Sequence, residues 1–176
     1  MELGERVIMN REILFKAKRK DSNEWVEGYY AKLGYGKNVK HFIIQNVFLQ
    51  EDISYFEDIE INPSTLSQYT GLNDNTKWDE LTELEKELFL SNWNYQEDRK
   101  NKVEDWKGKR IWENDIVKWR FKRVWKEDYH ISQVVWDSFY SAFKISVRGG
   151  LAKLREDIEY EIIGNVFDNA DLLEVE

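Results

Sequence analysis

Residues 143–148, Phe143-Lys144-Ile145-Ser146-Val147-Arg148, followed by Gly149-Gly150, alternate apolar and polar side chains with a period of two. That period puts Phe143, Ile145 and Val147 on one face of an extended chain and Lys144, Ser146 and Arg148 on the other, as in a strand half buried against a core. The glycine pair closes the run, because glycine reaches the backbone conformations a tight turn needs. Similar runs recur at residues 13–17, 25–33, 41–49, 116–121, 131–136 and 160–167, so the pattern predicts at least seven strands. Between two of them Gly34-Tyr35-Gly36-Lys37 lacks the spacing of a phosphate-binding loop and precedes no helix, so it reads as a hairpin turn.

Composition points the same way. Aromatic residues make up 15% of the 176-residue chain, with eight Trp and one Pro, which suits packed strands rather than disorder. The length suits one domain able to bury a core without a staple. With no cysteine, neither a disulfide framework nor a thiol nucleophile is available, and a cytoplasmic protein is expected. The first residues, MELGERVIMNREILF, form no apolar signal core, and no stretch approaches the roughly 20 apolar residues of a membrane span, so no membrane partner is expected. The net charge of −8 opposes unspecific contact with DNA or anionic lipid. Residues 107–126 nevertheless hold eight basic side chains against two acidic ones.

The segment 76–102 departs from the strand pattern. Thr82-Glu83-Leu84-Glu85 has the form of a capping box, and Leu81, Leu84, Leu88 and Tyr95 fall on one helical stripe, predicting a helix from about Thr82. Phe89 and Trp93 lie on a second stripe, so either they contact a partner or, as the plainer reading has it, the helix ends near Ser91 and Trp93 packs back in a loop. A short turn is expected near the C-terminus, with Asp168 as its cap.

Three blocks resemble the YopX family of phage and prophage proteins: Arg11-Glu12-Ile13-Leu14-Phe15-Lys16-Ala17 with Trp25-Val26-Glu27-Gly28-Tyr29-Tyr30, then Gln68-Tyr69-Thr70-Gly71-Leu72-Asn73-Asp74, and Tyr160-Glu161-Ile162-Ile163-Gly164-Asn165-Val166-Phe167. A fourth, residues 107–117, resembles that family's turn into a strand, which in other members follows the second block almost directly. The resemblance implies a single domain over residues 9–174, mainly β, with an SH3-like barrel, additional N-terminal strands and a helical insertion near residues 76–104. The added segment would span 75–106, in a loop, where extra residues are best tolerated. Asn114 stands where the family usually has glycine, which suits a left-handed turn. Ala170 stands where proline is common. The resemblance implies no cofactor and no catalytic residues.

Chemistry must then come from the side chains themselves. His41 and His130 sit on different predicted strands, each at its beginning, where an imidazole stays wet. Glu113 and Asp115 could serve as acid and base or hold a hard cation, yet in a turn entering a strand such carboxylates more often bind nearby amides. The acidic run Glu51, Asp52, Glu57, Asp58 and Glu60 reads as a solvated edge. The sequence lacks the G-x-S-x-G and H-E-x-x-H patterns, so a non-enzymatic protein is expected.

The run 117–126 is the strongest candidate for binding. Alternation places Val117, Trp119 and Phe121 inward and Lys118, Arg120 and Lys122 outward. With Arg123, Trp125 and Lys126, these cations could follow a phosphate backbone while an indole stacks on a base. The plainer alternative is a solvated strand face. The leading expectation is therefore an interaction protein that self-associates into an oligomer or binds a host or phage protein, with nucleic-acid binding as the second reading.

Overall fold

The computed structural model describes residues 13–50, 53–91, 103–122 and 129–174. Among them eleven strands form two antiparallel sheets. The first sheet contains β1 (Phe15–Lys18), β2 (Trp25–Leu33), β3 (Lys40–Gln50), β4 (Ile53–Glu60), β5 (Ser67–Asn73) and β6 (Arg110–Trp112), in the order β4-β3-β2-β1-β5-β6. The second contains β7 (Asp115–Phe121), β8 (His130–Asp137), β9 (Ala142–Val147), β10 (Gly150–Lys153) and β11 (Ile158–Asn165), in the order β10-β9-β8-β7-β11. All seven expected strands are present. The protein is mainly β.

The implied SH3-like barrel is not what these strands make, because neither sheet closes on itself. β10 and β11 remain the two edges of the second sheet. The outer edge of β11 is met by the segment after β5 instead: Asn75 donates its amide to the Tyr160 carbonyl, and its Oδ1 accepts from the Tyr160 amide, both at 2.9 Å. Asp74 Oδ2 accepts from the Ile162 amide at 3.3 Å. Side chains thus satisfy backbone groups that a closing strand would otherwise occupy.

Each sheet keeps the alternation read from the sequence. Val117, Trp119, Val134, Ile145, Ile158 and Tyr160 form one core, joined by Ile111 of β6. Trp119 satisfies its indole N–H by donating to Ser132 Oγ at 3.0 Å. Ala17, Ile43 and Ile61 form a second core in the first sheet, with Phe15, Val26 and Tyr30 packed on it. Gly28 is needed there, because a Cβ would lie 2.4 Å from the Ile44 carbonyl oxygen. Asn114 has φ +68°, the left-handed turn its position called for.

Within residues 75–106 the α-helix α1 (Glu83–Ser91) follows a 3₁₀ turn at Trp78–Glu80. Its capping box is complete: the Thr82 amide donates to Glu85 Oε2 at 2.8 Å, and the Glu85 amide donates to Thr82 Oγ1 at 3.3 Å. The leucine stripe divides between core and solvent. Leu81 is buried, but Leu84 and Leu88 are 73% and 70% exposed. Phe89 turns inward, edge-on to Trp78 at 5.5 Å and to Trp106 at 5.0 Å. Two indoles offer that ring more apolar area than the leucines would find elsewhere, so the aromatic stripe wins. Asp74 closes the stem of this segment by accepting from the amides of Thr76 at 3.0 Å and Lys109 at 2.8 Å. Gly108 allows the close approach, since a Cβ would sit 2.0 Å from the Asp74 carbonyl oxygen.

Candidate functional site

The sequence blocks converge where the two sheets meet. Lys16 and Lys18 project from β1 toward the second sheet, where Lys16 Nζ donates to Asp115 Oδ1 at 2.6 Å and Lys18 pairs with Asp168. Asp115 is almost wholly buried and also accepts from the Trp112 amide at 2.8 Å and from Asn165 Nδ2 at 3.0 Å. Lys16 lies over the faces of Trp25 and Trp112, at 5.1 and 5.6 Å from the ring centres. The Trp25 indole N–H donates to Asp168 at 2.8 Å. The Lys18 ammonium, and then this indole, hold the Asp168 carboxyl below its ordinary value. Here Asp115 serves as an anchor between sheets, bonded to a backbone amide as the turn reading expected.

Its neighbour Glu113 points elsewhere. Burial raises its carboxyl above the ordinary value, against a smaller opposing backbone hydrogen bond at Gln68. Among the described residues, no group of three or more His, Asp or Glu side chains is placed to hold a metal ion. His41 bonds through Nδ1 to the Tyr30 hydroxyl at 2.6 Å, and His130 packs on Trp119 in the other sheet.

A cleft of about 840 Å³ opens beside the junction. Its lining includes Lys16, Trp112 and Asp115 from the junction, Leu81, Leu88 and Phe89 of the helical segment, and the chain from Asp105 to Arg110. Two more of its cations are paired, Lys109 with Glu85 at 2.7 Å and Arg110 with Glu27 at 3.2 Å, and Lys107 adds a further positive charge to the lining. The Lys109 ammonium, aided by the capping bonds to Thr82, holds the Glu85 carboxyl down at about 2.

The basic row on β7 is brought together as the alternation required, but it is already partnered. β11 sets Glu161 opposite Lys118 and Glu159 opposite Arg120. Lys118 reaches Glu161 at 3.7 Å, Arg120 reaches Glu159 at 2.5 Å, and Lys122 donates to the Glu156 carbonyl at 2.8 Å. Lys118 and Arg120 also lie over the Tyr129 ring. Two of the three cations thus face carboxylates across the strand pair, while Lys122 keeps its charge beside a neutral carbonyl. Arg123, Trp125, Lys126 and Trp93 lie outside the described residues. Phe89, expected to reach a partner, is held in the aromatic trio.

Sequence reasoning missed the β8–β9 turn. Phe139 and Tyr140 are 85% and 66% exposed, with their rings edge-to-face at 4.8 Å, and Trp136 is 43% exposed. The turn is locally fastened. Asp137 Oδ1 accepts from the amides of Phe139 at 2.9 Å and Tyr140 at 3.3 Å. Lys144 binds Asp137 at 2.7 Å, lowering its carboxyl, and sits 3.8 Å from the Tyr140 ring centre. The available signal was Asp137-Ser138-Phe139-Tyr140 between two alternating runs, an aspartate able to cap its own turn with two aromatics at the tip.

A solved structure, the crystal structure of protein EF1440 from Enterococcus faecalis, aligns over 92% of this chain and 98% of its own, with a TM-score of 0.43 and 19% identity. No curated protein matches the chain. No described helix is long and apolar enough to cross a membrane. The family model described as YopX protein matches residues 84–174, from α1 through the whole second sheet to the C-terminal turn. The match spans just over half of the sequence and includes the Glu-Asn-Asp turn and the Gly-Asn-Val-Phe block that pack together at the sheet junction, and the chain belongs to the YopX family.

Proposed function

We propose that this chain is a phage- or prophage-encoded, non-enzymatic interaction protein of the host cytoplasm, which meets protein surfaces, a second copy first, through the aromatic tip of its β8–β9 hairpin. The observation that carries the reading is the exposure of Phe139 and Tyr140 on a turn fixed by Asp137 and Lys144. Aromatic side chains held in place lose little entropy on binding, which is why such groups dominate contact energies. The tip is also locally neutral, so it is a place where two copies of net charge −8 can approach without opposing like charges. Taking roughly 150–250 Å² for each full aromatic side chain, Trp136, Phe139 and Tyr140 together expose roughly 400 Å². Single patches of that size support weak, reversible association rather than an obligate dimer.

Sedimentation velocity over concentrations from about 5 to about 500 µM tests this. The native protein is expected to associate reversibly. Phe139→Ser/Tyr140→Ser is expected to remain monomeric with an unchanged circular dichroism spectrum. A native protein that stays monomeric throughout, or a double variant that associates as well as the native chain, overturns the reading.

A further inference from the structure

The geometry points to a head-to-tail contact, in which the Phe139–Tyr140 tip of one copy enters the cleft beside α1 of the next. This deepens the reading above and rests on it. The tip is convex, and two convex tips pressed together would bury roughly 800 Å² in all, the size of an incidental contact. A seat on the partner has to be concave and apolar. The same chain offers one: the cleft of about 840 Å³ with Leu81, Leu88, Phe89 and Trp112 in its lining. That volume lies within the roughly 300–1,000 Å³ of pockets that enclose drug-sized molecules, and two aromatic rings are smaller than such molecules. Electrostatics agree at both ends. The charges at the tip, Asp137 and Lys144, are paired with each other. At the cleft, Lys16, Lys109 and Arg110 are each paired within the chain, and Lys107 adds one cation that a neutral tip does not oppose. Neither surface opposes the other, and the Tyr140 hydroxyl can remain hydrogen-bonded among the polar groups at the rim.

Because the two surfaces differ, the contact is heterologous, and each copy keeps one free tip and one free cleft unless a ring closes. This gives the inference its own signature. A tip variant, Phe139→Ser/Tyr140→Ser, retains the cleft; a cleft variant, Leu88→Glu, retains the tip. Leu88 is exposed, and circular dichroism with a thermal melt verifies that each variant folds. Leu88→Arg beside it separates loss of packing from added negative charge.

The native protein is expected to form species beyond a dimer as concentration rises, and each variant alone is expected to associate at least about tenfold more weakly, a difference of about 1.4 kcal/mol. Mixing the tip variant with a cleft variant is expected to restore a one-to-one dimer and nothing larger, since that pair has one working contact. A cleft variant, with either charge, that associates as well as the native chain overturns the inference while leaving the tip as the contact surface. A mixture that restores nothing also overturns it. A native protein that never associates overturns both readings at once.

Discussion

At the scale of single residues, Asp115 shows how a carboxylate pattern that suggests chemistry can be structural. It holds Lys16, the Trp112 amide and Asn165 together from a buried position. Removing one partner of a buried pair leaves the other charge without compensation, at a cost of about 3–5 kcal/mol. Asp115→Ala is expected to lose that much stability in urea denaturation. Lys16→Met is expected to lose less, because Asp115 keeps two hydrogen-bond donors while an orphaned Lys16 keeps only indole faces. Glu113 behaves in the opposite sense. Burial raises its carboxyl in the folded protein, so its ionised form opposes folding at neutral pH. Glu113→Gln is therefore expected to be more stable than the native chain at pH 7, by on the order of 0.5 kcal/mol. The sign follows from linkage: once pH falls through the raised folded value and below the unfolded value near 4.3, the native side chain is neutral in both states and the advantage disappears. Thermal melts of both proteins between pH 3 and pH 7 measure this directly, and a gap that widens toward acid would contradict it.

At the scale of elements, Lys118 and Arg120 of β7 face Glu161 and Glu159 of β11. Directly opposed charges of unlike sign contribute roughly 0.2–1 kcal/mol, and like charges oppose pairing by a similar amount. Arg120→Glu is expected to destabilise the protein by about 1 kcal/mol, and Glu159→Arg added to it to recover most of the loss, as measured by a double-mutant cycle in denaturant. Non-recovery would mean that the pairing across β7 and β11 contributes nothing. The same register explains what the sequence could and could not reveal. Alternation in residues 25–33, 116–121 and 143–148 disclosed β2, β7 and β9, although Lys144 of the polar set is buried against Asp137 and Phe121 of the apolar set is exposed. β4, β5, β6 and β10 escaped notice for other reasons: β4 is an acidic outer edge, β6 spans only three residues and β10 only four, and Gly71 interrupts β5 at φ +89°. Which strand faces β7 is decided by long-range pairing, so Glu159 and Glu161 could not be matched to the cations in advance. α1 was legible in its cap and not in its orientation, since Trp78 and Trp106 approach Phe89 from outside the helix. The hairpin tip was readable in principle from Asp137, but alternation ends at the turn and says nothing about what projects beyond it.

At the scale of the whole molecule, net charge and local charge give opposite forecasts for the two leading readings, and salt separates them. A chain of net charge −8 repels its own copies at long range, while the tip and the cleft are each internally paired and gain little from attraction at contact. Raising ionic strength from about 0.05 to about 0.5 M shortens the screening length from roughly 14 Å to roughly 4 Å, which weakens the repulsion and leaves apolar contact almost untouched. Self-association is therefore expected to strengthen with salt, by severalfold. Binding through Lys118, Arg120 and Lys122 would do the reverse, because displaced counterions make affinity for a phosphate backbone fall steeply as salt rises. Those cations would also have to leave Glu159, Glu161 and the Glu156 carbonyl, and charge reversal there would disturb β7–β11 pairing as well as any nucleic-acid contact. Loss of binding in such a variant would thus not identify the site, whereas the sign of the salt dependence in the native protein does. Association that weakens with salt would move the contact from the neutral hairpin tip to a charged surface.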